Sequence, residues 1–246
     1  MLMEKRFQEI LRILEEQGTV SVQDLTESLD ASEATIRRDL SQLAQMGKLK
    51  KIYGGAASLE TGYQTREIRV EERQELYVEE KKQIAKYAAS LIEPGDFVYV
   101  DAGSSTEYLV EYIEERDASY VTNSMSHALK LAGRGMKVSI LGGNVKGTTE
   151  AVVGADAMET LRRYHFTRGF WGADGIRKKE GCTTPEMEEA AVKRLSMKQT
   201  RECYVLCDGS KFGKIAQVTF AELADVTVIT AGLKDKQCAV CRLHNT

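Results

Sequence analysis

The chain has 246 residues, of which 42% are apolar and 29% charged, with a formal charge of −3. That length suits a small domain joined to a larger, well-cored one, and the composition is that of a soluble globular protein. No apolar run is long enough to span a bilayer or serve as a signal peptide, so a cytoplasmic protein with no membrane partner is expected.

The small net charge hides an uneven distribution. Residues 1–30 carry three Lys or Arg against seven Asp or Glu, whereas residues 31–57 carry Arg37, Arg38, Lys48, Lys50 and Lys51 against Glu33 and Asp39. Contact with phosphate depends on such local clustering rather than on the sum. The five cysteines all follow residue 181; an odd number in such a chain argues against a disulfide framework, and the lone pair Cys238 and Cys241 lacks a second pair for a structural zinc. No metal and no cofactor are expected.

In chain order, Phe7, Ile10, Leu11 and Leu14 fall at i, i+3, i+4 and i+7, which predicts a first helix over 3–17 stopped by Gly18. Thr19 and Val20 read as a short extended piece. Ser21 and Asp24 then have the spacing of a capping box, opening a second helix with Val22, Leu25 and Leu29 on one side. After a turn at Asp30 and Ala31, Ser32 is placed to cap a third helix from Glu33. At 100° per residue Ile36, Leu40 and Leu43 share one face. Ala34, Arg38, Ser41 and Gln45 lie opposite, with Thr35 and Arg37 on the flanks.

Arg can grip a guanine edge in a bidentate pair, and Thr or Ser can meet a base or a phosphate. On its own this helix could equally be an ordinary amphipathic one with a solvated basic face. Its neighbours supply the context: helix, short strand, helix, tight turn, helix is a helix-turn-helix order. Gly47 ends the third helix, and residues 48–53 read as an extended basic arm closed by Gly54 and Gly55. Lys50 and Lys51 on that arm are candidates for phosphate contacts, and the arm can pair with the strand near Thr19 as a small wing.

The motif Ser32-x-x-Thr35-Ile36-Arg37-Arg38-Asp39-Leu40, followed by Gly54-Gly55-Ala56, resembles the N-terminal winged helix-turn-helix of the DeoR family of bacterial transcriptional regulators. The resemblance implies that Thr35, Arg37 and Arg38 face double-stranded operator DNA. Ala31 stands where that family commonly has valine. The DNA-binding domain is placed at 1–57, and residues 58–80, polar and without apolar periodicity, are placed as a linker. Tyr63, Arg66 and Arg69 are assigned to neither side.

From Lys81 onward helical and strand patterns alternate. Ile84, Ala88, Leu91 and Ile92 form a helical face, residues 93–96 a turn, and Phe97 to Val100 a buried strand. Further strands are expected at Tyr120 to Thr122, Val138 to Leu141, Phe166 to Trp171, Tyr204 to Cys207 and Val226 to Ile229. That pattern predicts an α/β domain over 81–246 with a largely parallel sheet.

Ligands of such sheets collect at the carboxyl ends of strands. The first strand ends in Asp101, Ala102, Gly103, Ser104, Ser105 and Thr106 ahead of a helix, so backbone amides and hydroxyls there can cradle an anion, with Asp101 suited to sugar hydroxyls. Two more strands end in Thr122, Asn123 and Ser124 and in Gly142 and Gly143. A short Gly/Ser loop often does no more than cap a helix, but three endings of this kind converge on one mouth. Lys211, in the loop after another strand, is the candidate cation, though a solvated loop lysine reads the same way. Thr184 and Pro185 are expected to open a helix, with Glu189 and Lys193 as a surface i, i+4 pair.

Asp101-x-Gly-Ser-Ser-Thr, Thr122-Asn-Ser, Gly142-Gly, Gly154 and Ser210-Lys-Phe-Gly are similar to the DeoR-type sensor domain. That resemblance implies a fold shared with ribose-5-phosphate isomerase and glucosamine-6-phosphate deaminase, and a phosphorylated sugar as effector. The expected protein is a repressor of carbohydrate metabolism that binds its operator as a homo-oligomer, dimer or higher, and is not an enzyme. The rival is a sugar-phosphate isomerase or deaminase with a DNA-binding appendage, for which Asp101, Asp174 and Glu189 are the carboxylates available.

Overall fold

A computed structural model describes residues 3–17, 19–58, 73–231 and 242–245. The chain divides into two compact units, residues 1–63 and 64–246. Gly18, Tyr63, Arg66, Arg69, Cys238 and Cys241 lie outside the described residues.

The first unit is built in the expected order: α1 (Met3–Gln17), β1 (Thr19–Ser21), α2 (Val22–Leu29), α3 (Glu33–Gln45), β2 (Leu49–Ile52) and β3 (Gly55–Ser58). Ser21 caps α2 in a reciprocal box, its Oγ accepting from the Asp24 amide at 3.0 Å while Asp24 accepts from the Ser21 amide at 3.4 Å. Asp30 makes the turn to α3 in the left-handed region, φ 47°. β2 and β3 form an antiparallel hairpin, and β1 pairs with β3, giving the order β1-β3-β2. Gly55 is dictated by that pairing, because a Cβ there would stand 2.1 Å from the Val20 carbonyl oxygen. Ile10, Leu14, Leu25, Ile36, Leu40, Leu43 and Leu49 close a common core. Each such buried side chain contributes about 1.5–3 kcal/mol.

The second unit begins with α4 (Val78–Ala89), which starts before Lys81. There follow β4 (Phe97–Val100), α5 (Ser104–Tyr112), β5 (Ser119–Thr122), α6 (Met125–Gly133), β6 (Lys137–Ile140), β7 (Asn144–Val145), β8 (Val152–Val153), α7 (Ala155–Leu161) and β9 (Phe166–Gly172). Then come β10 (Gly175–Arg177), β11 (Gly181–Thr184), α8 (Met187–Lys198), β12 (Thr200–Leu206), β13 (Val218–Ala221), β14 (Thr227–Thr230) and β15 (Arg242–Asn245). Seven strands make one sheet in the order β15-β14-β12-β9-β4-β5-β6, and every pairing in it is parallel. All six expected strands are in it.

Two short antiparallel pieces flank the sheet, β7 with β8 and β10 with β11 and β13. The second corrects the expected helix start. Thr184 belongs to β11, where its backbone pairs with β13, so the helix begins only at Met187 behind Glu186 as N-cap. Apolar side chains fill both faces of the sheet: Val98, Val100, Phe170 and Leu206 on one, Tyr99, Val121 and Trp171 on the other. The Trp171 indole N–H donates to Ser196 Oγ at 2.9 Å, satisfying the one polar atom of a wholly buried ring.

A basic helix face and a cationic cleft

On α3 the buried residues are Ile36, Asp39, Leu40 and Leu43. The sequence offers Asp39 only as one of two acids counted over residues 31–57. In the structure its carboxylate is 3% exposed and accepts two bonds from the Arg6 guanidinium, which pins α3 to α1 across 33 residues of chain. The opposite face is open. Ser32 Oγ accepts from the Thr35 amide at 3.3 Å and lies 2.8 Å from the Thr35 hydroxyl. Arg38 is exposed, and so is Arg37, paired along the helix with Glu33 at 2.5 Å. Ser41 donates to the Arg37 carbonyl at 2.7 Å and accepts from Lys51 Nζ at 3.0 Å, which ties the wing to the helix. Lys50 is exposed on the same strand, and Tyr53 at the hairpin tip is fully exposed. Thr35, Arg37, Arg38, Ser41, Lys50 and Lys51 thus form a hydrogen-bonding surface carried on one helix and one hairpin.

In the second unit the strand order reverses between β4 and β9: the chain runs outward one way through β5 and β6 and the other way through β12 and β14. A crevice opens at the carboxyl ends of strands at such a switch point. Here it is an open cleft lined by Gly103, Ser104 and Ser105 after β4, by Gly172 at the end of β9 with Ala173 and Asp174 beyond it, and by Arg73, Glu189, Lys193 and Lys211 among others. Gly103 is the N-cap of α5 and provides no side-chain cap, so the amides of the first turn face the cleft unengaged by a cap. Its backbone is extended, and a Cβ would meet only Thr106 Oγ1 at 3.4 Å.

Glu189 and Lys193 are not the expected surface pair. Both are buried, because α8 packs on the sheet. Lys193 donates to the Asp101 carboxylate and, at 3.2 Å, to the Gly172 carbonyl. Glu189 accepts from Thr149 at 2.6 Å and pairs with Lys146 at 3.1 Å. Burial raises the pKa of Asp101 above the usual carboxylate range, against the opposing pull of Lys193. Asp174 accepts from Arg73 Nη1 at 2.8 Å and from Thr184 Oγ1 at 3.2 Å.

Thr106, Thr122, Asn123 and Ser124 are buried and do not line the cleft. They build its wall: Asn123 Oδ1 accepts from the Ala102 amide at 2.8 Å, Thr122 Oγ1 from the Ser124 amide at 3.0 Å, and Ser124 Oγ from the His127 amide at 3.3 Å. Gly142 and Gly143 are exposed beyond β6, and Gly143 is required by packing, since a Cβ would stand 2.4 Å from the Val153 carbonyl oxygen. Below the first turn of α5, buried Glu107 meets His127 Nε2 at 2.7 Å, Lys130 at 2.6 Å and Ser126 at 2.9 Å. Burial alone would raise its pKa, but the bonds and charges of His127 and Lys130 outweigh that and hold it at about 2.

The sequence singled out Lys211 but not Arg73 or Lys193. Arg73 stands in a polar stretch without periodicity. Lys193 showed only its i, i−4 carboxylate. Among the described residues no helix is long and apolar enough to cross a membrane.

Residues 6–62 match the family described as the DeoR-like helix-turn-helix domain, and residues 77–232 match the DeoR C terminal sensor domain. A Bacillus subtilis (strain 168) protein described as the uncharacterized HTH-type transcriptional regulator FruR is 38% identical over 240 residues, covering 96% of this chain and 93% of its own. The lactose phosphotransferase system repressor of Streptococcus mutans serotype c is 31% identical over 235 residues, covering 94% and 93%. Among solved structures, ribose 5-phosphate isomerase A of Methanocaldococcus jannaschii is similar over 54% of this chain and 53% of that one, at 16% identity and a TM-score of 0.41.

Proposed function

The chain belongs to the DeoR family of DNA-binding transcriptional regulators, and from that premise we propose that it is a repressor of a carbohydrate-metabolism operon, released when a phosphorylated sugar fills the cleft of its second unit. The observation that carries the reading is the cleft: uncapped amides at the start of α5 together with Lys193, Lys211 and Arg73 suit a phosphate, while Asp174 and Glu189, which also line it, suit hydroxyl donors. The lactose phosphotransferase system repressors among its relatives support the same assignment.

Ser32, Thr35, Arg37, Arg38 and Ser41 would read and grip the operator, with Lys50 and Lys51 holding its phosphates. One small module buries only about 600–1,000 Å² on DNA, so a homo-oligomer engaging two half-sites gives the specificity a repressor needs. Effector binding then weakens operator binding by roughly 5- to 150-fold, the usual range of coupling. Against turnover stands the pairing of each candidate base: Asp101 with Lys193, Asp174 with Arg73, Glu189 with Lys146. Proton abstraction needs a carboxylate poised over substrate.

The test is anisotropy of a labelled duplex from the gene's own upstream region, titrated with and without glucose 6-phosphate, fructose 1-phosphate, fructose 6-phosphate, ribose 5-phosphate and glycerol 3-phosphate. One of these should release specific binding. Arg38→Ala should cost about 10- to 100-fold in operator affinity, the worth of one bidentate base contact, without altering effector binding. Binding equal on scrambled DNA and insensitive to every sugar phosphate would defeat the proposal.

A further inference from the structure

The hairpin of β7 and β8 reaches the cleft through its turn. The Lys146 amide closes that turn by donating to the Ala151 carbonyl at 2.9 Å, and the Val152 amide donates to the Asn123 carbonyl at 2.6 Å, which fastens the hairpin to the loop after β5. Within the turn Glu150 holds the left-handed region, φ 54°, a conformation that residues other than glycine seldom adopt. The residue before it, Thr149, lines the cleft.

Thr149 Oγ1 lies 2.6 Å from Glu189 Oε1, and Lys146 Nζ stands 3.1 Å from the same oxygen. A carboxylate has no proton to give, so the proton in the 2.6 Å bond is the threonine's. Thr149 has then spent its only donor, and its oxygen can offer a ligand nothing but a lone pair. Glu189 is in the same position. Its Oε2 makes no hydrogen bond among the described residues and is not sealed from solvent, although the side chain is only 11% exposed. Both residues line the cleft and Lys146 does not, so towards a ligand this pair can only accept. The donors of the cleft, the first-turn amides of α5 with Lys193 and Lys211, come from other elements. Asp174 lines the same space, so a carboxylate on the sugar part of a ligand meets like charge there.

We propose that Thr149 and Glu189 select the sugar part of the ligand: as adjacent acceptors they take two neighbouring hydrogen-bond donors, such as vicinal hydroxyls, and reject a phosphorylated acid that brings a carboxylate in their place. This rests on the reading of the cleft as a sugar-phosphate site. It narrows that reading to the phosphates of hydroxylated sugars, as against those of sugar acids.

Calorimetry on the full-length protein tests it with inorganic phosphate, the five phosphates named above and two acids: 6-phosphogluconate as counterpart of glucose 6-phosphate, and 3-phosphoglycerate as counterpart of glycerol 3-phosphate. In the unaltered protein the tightest of the five should exceed both acids at least tenfold. Thr149→Val should weaken that ligand about tenfold, the worth of one hydrogen bond, while inorganic phosphate binds as before; Thr149→Ser, which keeps the hydroxyl, should restore it. Glu189→Gln, whose amide places donors where the carboxylate stood, should weaken the same ligand and tighten at least one acid several-fold, a gain that general damage does not produce. An acid that binds as tightly as the best sugar phosphate, an equal loss for inorganic phosphate in Thr149→Val, or no gain for either acid in Glu189→Gln overturns the proposal. Release of the labelled operator duplex by the tightest of the five would then still uphold the sugar-phosphate reading. If the unaltered protein binds none of the probes, that reading falls and this one with it.

Discussion

The two units hold their cations in opposite ways. On α3 and the wing Arg38, Lys50 and Lys51 stand in water, and Arg37 has only an exposed neighbour on its own helix. In the cleft Lys193 and Arg73 are each buried against a carboxylate from a different part of the chain. Exposed charges are screened and cost little to hold ready, so a long polyanion can find them by steering and exchange counterions for contacts. Buried pairs are desolvated before any ligand arrives, and a ligand must offer better geometry than the carboxylate already there. One surface favours speed and reach, the other selection.

Three changes probe that contrast. The largest effect is expected for Lys193→Met, which leaves Asp101 buried without its cation: about 3–5 kcal/mol of the second unit's stability should be lost in urea unfolding, and Asp101→Asn in the same chain should restore part of it. A loss under 1 kcal/mol would mean that the pair is far better solvated than its burial indicates.

Next comes acid. Because the folded pKa of Glu107, about 2, lies below its ordinary value of 4.5, its contribution is fully present above pH 4.5 and lost as pH falls from there toward 2. At 1.36 kcal/mol per unit this amounts to roughly 3 kcal/mol. Urea midpoints of the unaltered protein and Glu107→Gln should converge across that window; parallel curves would refute the assignment.

The smallest effect belongs to the first unit. Glu33→Gln removes an exposed i, i+4 partner of Arg37 and should change stability by only a few tenths of a kcal/mol. It should nevertheless strengthen operator binding by removing a negative charge beside the phosphates. A large stability loss would show that the exposed pair behaves like a buried one.

The same contrast sorts what could be read from the sequence. The reading helix, its Ser32 cap, the capping box at Ser21 and the six sheet strands were legible because each is written in period or spacing over a few residues. What was hidden lies in pairs far apart in the chain. Asp39 looks like one more surface acid until Arg6 is brought to it. Glu189 and Lys193 have the spacing of a surface pair, and only the docking of α8 on the sheet turns Lys193 toward Asp101, 92 residues away. Thr184 and Pro185 have the chemistry of a helix start, yet pairing with Val218 of β13 claims Thr184 for a strand. Small polar residues after a strand suit a ligand loop and a helix cap alike. Thr122, Asn123 and Ser124 spend their groups on the neighbouring loop and on α6, and the stretch after β4 lines the cleft.

The strand order of the second unit also sets a timetable for synthesis. The α1–α3 pin closes over 33 residues, and among the described residues every core residue of the first unit precedes Ser58. At the centre of the large sheet the Phe97 amide bonds to Thr167, 70 residues later, so β4 waits for β9 before the sheet has a middle. Closing longer loops slows folding. On the ribosome the operator-reading fold is therefore complete while the strand that bounds the ligand cleft is still to be translated, and each new molecule acquires its grip before its control.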